Sequence, residues 1–133
     1  MIKVEHIGVA VRDLTVSVPL FAKILNTACY KTEIVESEKV KTAFFQKGET
    51  KVELLESFDE NGVIARFIEK KGEGFHHVAF AVDNIEKEMA RLKNEGFVLL
   101  HETPKKGADN KLICFIHPKE TNGLLIELCQ EIN

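Results

Sequence analysis

The chain has 133 residues, 44% hydrophobic and 29% charged, which is the composition of one globular domain and not of a disordered chain. Eighteen basic against 21 acidic side chains leave a net charge of −3, without the basic surface that bulk nucleic-acid binding requires. No apolar run approaches the roughly 18 residues that cross a bilayer, and the charged opening Met1–His6 has no signal-peptide core. A cytoplasmic protein with neither nucleic-acid nor membrane partners is expected. The odd number of cysteines, Cys29, Cys114 and Cys129, fits reduced thiols, and the last two sit in apolar runs as small core residues.

The elements follow in order. Val4–Val11 is β-rich. Asp13–Leu25 carries Leu14, Val18, Phe21, Ile24 and Leu25 at helical spacing, with Pro19 tolerable only near a first turn. Lys31–Val35, Val40–Phe45 and Lys51–Leu55 read as strands, the last two joined by a turn at Gly48. Val63–Lys70 predicts a short helix with Val63, Ile64, Phe67 and Ile68 on one face, and Lys71–Gly74 is a break. Then Phe75–Val82 reads as a strand. Asp83–Glu95 predicts an amphipathic helix on Ile85, Met89 and Leu92, capped by Asp83 or Asn84 and ended by Gly96. Phe97–Leu100, Lys111–His117 and Gly123–Cys129 complete the chain as strands.

The order βαβββ therefore occurs twice, in one domain whose modules run from about 1 to 57 and about 75 to 133, with a linker over about 58–74. The two halves match in detail. His6-Ile7-Gly8-Val9-Ala10-Val11 overlays His77-Val78-Ala79-Phe80-Ala81-Val82, 71 residues on, and Val52–Leu55 overlays Ile126–Cys129, 74 residues on. The three extra residues are assigned to the Pro104–Asn110 loop.

Each half thus opens with a histidine in its first strand and closes with a glutamate in its last: His6, Glu53, His77 and Glu127. Strand alternation puts His6 with Gly8 and Ala10, and His77 with Ala79 and Ala81, leaving room beside each imidazole. A carboxylate among aliphatic neighbours is costly unless paired. A shared cation would remove that cost, and two imidazoles with two carboxylates suit Co2+, Ni2+, Zn2+ or Mn2+. Taken singly, each histidine also fits a hydrogen-bonded structural residue, and Glu53 fits a solvated outer face; the symmetric placement favours metal. His76 should face away from His77. His101 should be solvated, and His117 should end a strand.

These residues are also where the sequence resembles a known family. Lys51–Glu56, Ile64–Ile68, Gly72–Phe80, Glu102–Ala108 and His117–Leu128 resemble methylmalonyl-CoA epimerases of the vicinal-oxygen-chelate (glyoxalase-like) superfamily, over nearly the whole chain. The resemblance implies an α+β fold: two tandem βαβββ modules forming a curved mixed sheet around a metal site, with helices outside. It implies a homodimer, a divalent metal with Co2+ ahead of Mn2+, Ni2+ and Zn2+, and an acyl-CoA substrate of propionate metabolism. The implied reaction interconverts (R)- and (S)-methylmalonyl-CoA by α-proton abstraction and return through a metal-stabilised enolate. Some members carry Gln at the Glu53 position and a separate base on the preceding strand, where this chain has Thr42. Glu53 and Glu127 are therefore the candidate bases, with Glu36 and Glu38, upstream on one strand face, in reserve. Lys105, Lys106 and Lys119 are candidates for the CoA phosphates.

Three rivals share the fold. A glyoxalase I-type isomerase (lactoylglutathione lyase) would use the same four ligands. A non-enzymatic, antibiotic-sequestering protein would leave those four without a common purpose. An extradiol dioxygenase would need only one carboxylate with its two histidines.

Overall fold

The computed structural model describes residues 1–133 and separates into two compact units: His6–His76, and Met1–Glu5 together with His77–Asn133. The fold class is α+β, with three α-helices and eight strands in the expected doubled order.

The first unit contains β1 (Lys3–Ala10, from His6 onward), α1 (Leu14–Leu25), β2 (Lys31–Val35), β3 (Val40–Lys47), β4 (Thr50–Ser57) and α2 (Val63–Lys71). Its sheet runs β2-β3-β4-β1, with β1 parallel to β4 and the other pairs antiparallel. Asp13 starts α1 by accepting from the Thr15 amide at 2.9 Å, and Glu56 Oε1 accepts from the Leu14 amide at 2.6 Å. One sheet face packs on α1 through Ala43, Phe45 and Leu54. At one end of the opposite face Ala10, Val40 and Leu55 meet Ile64 of α2, with Phe67 and Ile68 partly buried beside them.

The second unit contains β5 (Gly74–Ala81, from His77 onward), α3 (Ile85–Asn94), β6 (Lys105–Lys106), β7 (Lys111–Ile116) and β8 (Ile126–Glu131). Its sheet runs β5-β8-β7-β6, with β5 parallel to β8. Asn84 caps α3 through the Lys87 amide at 3.0 Å, and Gln130 Oε1 accepts from the Ile85 amide at 2.7 Å. Glu56 and Gln130 each stand three residues after a candidate ligand glutamate, and each ties down the first residue of its module's helix. Ile85, Met89 and Leu92 pack on Cys114, Ile116 and Leu128, so Cys114 is a core residue, as Cys129 is in a second cluster. Burial pushes the Cys114 thiol up from its ordinary pKa.

Several expectations need correction. Pro19 is the sixth residue of α1, past the first turn, so the Thr15 carbonyl lacks its usual donor while the helix continues to Leu25. Val63 is exposed and outside the apolar stripe of α2. Phe97–Leu100 is no ladder strand: it makes one bridge, Leu99 with Ile116. Lys105 next pairs with Ile113, so six residues on this side run beside three on β7. The excess includes Pro104, which has no amide to pair. The three extra residues of the second half lie elsewhere than expected. Phe44 and Glu53 are cross-strand partners, as are Phe115 and Glu127, and the second connection is longer by three. It accommodates a 3-10 turn at Pro118–Glu120, whereas β3 and β4 join tightly at Gly48, where φ is +65°.

Candidate active site

Register decides which side chains share a face. In the first unit Gly8 lies beside Glu53 and His6 beside Lys51, so His6, Gly8, Ala10, Glu53 and Leu55 line one face. His6 Nδ1 stands 3.1 Å from Glu53 Oε2, and both residues are about 4% exposed. Phe44 is directly opposite Glu53 on that face and fully buried. In the second unit Ala79 lies beside Glu127 and Phe115 opposite it. His77 Nε2 stands 3.4 Å from Glu127 Oε1, both residues about 5% exposed, and the His77 ring meets Phe115 edge-on at 5.9 Å. Each unit thus buries one imidazole–carboxylate pair against a phenylalanine. Phe44 and Phe115 are 71 residues apart, a repeat signal that patterning around the histidines alone misses.

The donor set fits a divalent ion. Two ligand atoms about 2.1 Å from one ion stand about 3.0 Å apart at a right angle and about 3.4 Å apart at the tetrahedral angle. The separations inside the two pairs, 3.1 and 3.4 Å, lie in this range. Imidazole nitrogen and carboxylate oxygen are the donors that borderline ions prefer.

The remaining candidates divide. Lys105 is in register with Ile113, which is opposite Cys129, so it shares the Glu127 face; Lys106 is in register with Leu112 and takes the other face. Lys119 lies in the exposed 3-10 turn, where its amide donates to His117 Nδ1 at 3.1 Å. Glu36 and Glu38 share no strand face: β2 ends at Val35 and they form a 3-10 turn before Lys39, whose φ is +54°. His101 is half-buried rather than solvated, its ring tilted against Phe115 at 6.1 Å. His76 meets Phe67 of α2 edge-on at 4.9 Å, and burial pulls its pKa down to about 4 against the opposing pull of Glu38, so it is neutral at pH 7.

Residues 5–115 match the Glyoxalase/Bleomycin resistance protein/Dioxygenase superfamily. An uncharacterized Bacillus subtilis protein, YqjC, is 38% identical over 98% of this chain and 93% of its own. The ethylmalonyl-CoA/methylmalonyl-CoA epimerase of Cereibacter sphaeroides is 35% identical over 96% of this chain and 97% of its own. The chain belongs to the methylmalonyl-CoA epimerase family of that superfamily. It is by that membership an isomerase. A Streptomyces coelicolor methylmalonyl-CoA epimerase variant solved with 2-nitronate-propionyl-CoA superposes with a TM-score of 0.95 at 28% identity, over 100% of this chain and 99% of that one. No helix of the chain is long and apolar enough to cross a membrane.

Proposed function

We propose that this protein interconverts (R)- and (S)-methylmalonyl-CoA by taking the α-proton from one face and returning a proton to the other. The observation that carries this reading is the pair of buried carboxylates, Glu53 and Glu127, at equivalent places in the two modules and each held against an imidazole. Inversion at carbon needs a proton acceptor on one side and a donor on the other, and a duplicated module supplies two such groups. The Cereibacter relative is named for this substrate and its ethyl homologue, and the Streptomyces protein was solved with a propionyl-CoA analogue.

His6, Glu53, His77 and Glu127 are the proposed ligands of one divalent ion, Co2+ ahead of Mn2+, Ni2+ and Zn2+. When bound, such an ion supplies a Lewis acid for the charge that develops on the thioester oxygen. Glu53 and Glu127 accept and return the α-proton, each on its own face. His6 and His77 orient them, and Phe44 and Phe115 exclude water from behind each pair. Lys105, Lys106 and Lys119 are the proposed contacts of the CoA phosphates, Lys105 on the Glu127 face. A cytoplasmic homodimer serving propionate metabolism completes the reading.

The test is proton exchange. The protein is incubated with metal and single-epimer methylmalonyl-CoA in D2O, and the α-proton is followed by NMR beside an EDTA-stripped control. Metal-dependent deuteration with loss of optical purity is the expected result. Absence of exchange with metal demonstrably bound rejects the substrate.

A further inference from the structure

The functional face of the first unit continues past Glu53 to the sheet edge. Its rows can be read across the strands. Lys31 of β2 is directly opposite Phe44 of β3, and Phe44 is directly opposite Glu53 of β4. One row further on, Glu33 is opposite Thr42, and Thr42 is opposite Leu55. Directly opposite residues share a face, so Lys31, Glu33, Thr42, Phe44 and Glu53 look out on one side. At roughly 4.8 Å per strand, β2 runs about 10 Å from β4.

Two features of this lane point to a ligand. The first is the Lys31 ammonium. It lies 4.9 Å above the centre of the Phe44 ring and 3.4 Å from Glu33 Oε1, with its side chain 38% exposed. A lysine stem is normally free to wander in water. Here the ring and the carboxylate hold a cation at the open side of the lane, in the same row as Glu53. The second is the Thr42 hydroxyl. Thr42 is 1% exposed and its Oγ1 has no hydrogen-bond partner. A valine would fill the same space without burying an unpaired hydroxyl. An unpaired donor beside a held cation, on the face of a buried carboxylate, is the complement of an anionic oxygen.

We propose that Lys31 is a substrate-binding residue, and that its ammonium, with the Thr42 hydroxyl next to it on the lane, binds an anionic oxygen of the acyl-CoA. The assignment rests on the epimerase reading above. The anionic oxygen belongs either to the free carboxylate of the acyl group or to a phosphate of CoA. Glu33 positions the ammonium before binding and competes with the ligand for it. Its removal therefore strengthens binding, while removal of Lys31 weakens it. These opposite signs separate binding from damage to the fold.

The test uses the full chain with metal supplied and three variants. Lys31→Met keeps the stem against Phe44 and removes the charge. Lys31→Arg restores the charge, and Glu33→Gln removes the competitor. Steady-state kinetics with methylmalonyl-CoA should show KM raised about tenfold in Lys31→Met, with kcat within about threefold. Lys31→Arg should recover most of the loss, and Glu33→Gln should lower KM. The rise in KM should shrink at high salt, because the lane is open to solvent. Thr42→Val should melt no lower than wild type and yet raise KM, and Thr42→Ser should recover it. Calorimetric titration separates the two sources. Loss of affinity for propionyl-CoA, which has the phosphates without the acyl carboxylate, assigns Lys31 to phosphate. Loss confined to a methylmalonyl-pantetheine thioester, which has the carboxylate without those phosphates, assigns it to the acyl group. Unchanged KM and unchanged affinity for both ligands in Lys31→Met overturn the proposal and leave the epimerase reading intact. A wild type that neither turns over nor binds methylmalonyl-CoA overturns both.

Discussion

The two units bury the same kind of imidazole–carboxylate pair, but they finish the same sheet face in opposite ways. In the first, Ala10, Val40 and Leu55 are sealed by Ile64 of α2, an entirely apolar closure. In the second the corresponding residues are Ala81, Lys111 and Cys129. Lys111 is 5% exposed, with Nζ 4.0 Å from Glu5, 3.7 Å from Asp109 and 3.7 Å from Glu131. Glu5 comes from the start of the chain, which belongs to this unit. The residue that precedes each site histidine follows the same division: Glu5 pairs with the buried lysine, and His76 packs on Phe67. A doubled pattern thus holds the imidazole–carboxylate positions constant while leaving each module free to cover its end from whatever chain is available. An apolar closure gains stability from area. A charged one is stable only while its charges stay paired.

Breaking that comparison at the two imidazole–carboxylate pairs should have the largest effect. Glu53→Gln and Glu127→Gln each remove one carboxylate at constant size, and each should lower the racemisation rate by about 10²-fold or more. Racemisation of optically pure substrate followed by circular dichroism checks this. At the closures, Lys111→Met removes the buried cation that faces Glu5, Asp109 and Glu131 and should cost about 3–5 kcal/mol. The double variant Lys111→Met, Glu5→Gln should recover much of that loss. Ile64→Ala, the matching cut in the apolar closure, should cost about 2–4 kcal/mol, with no partner substitution able to recover it. Urea unfolding of the four proteins measures both.

The smallest expected effect concerns the helix caps. Asn84→Ala should cost about 1 kcal/mol at any pH. Asp13 does the same work with a titratable group. The Thr15 hydroxyl, and then the Thr15 amide, hold its carboxyl below the ordinary value of 3.8. A depressed carboxyl pKa stabilises the fold above the unfolded value, and that contribution is lost as pH falls below about 3.8 towards the folded value. Asp13→Asn should therefore lose less stability than wild type on acidification, and Asn84→Asp should lose more. Melting curves at pH 7 and pH 3 decide.

Much of this was legible because alternation and repetition are local. His6 and Glu53, and His77 and Glu127, stand at strand positions that the doubled pattern marks, and the structure brings each pair within 3.4 Å. Helix starts were legible because spacing and caps are local too: the helical spacing begins at Asp13, and of the two capping candidates Asp83 and Asn84 the structure uses Asn84. What escaped was set by pairing between strands. Lys31 and Phe44 are far apart in the sequence, and only the β2–β3 register puts an ammonium over a ring opposite Glu53. Lys111 looks like any strand-end lysine until Glu5 arrives beside it from the other end of the chain. The three extra residues were misplaced because the Pro104–Asn110 stretch has the composition of a loop, whereas the register of Phe44 and Phe115 puts the excess in the β7–β8 connection.

The central claim is that each module contributes one base to one face of the substrate. Deuterium exchange at the α-carbon of each separate epimer, with the Glu53→Gln and Glu127→Gln proteins, tests it directly. The expected result is reciprocal: one variant keeps solvent exchange with one epimer and loses it with the other, and the second variant does the reverse. Equal loss with both epimers in one variant, alongside unchanged exchange in the other, would show that a single carboxylate does the chemistry and would contradict the claim.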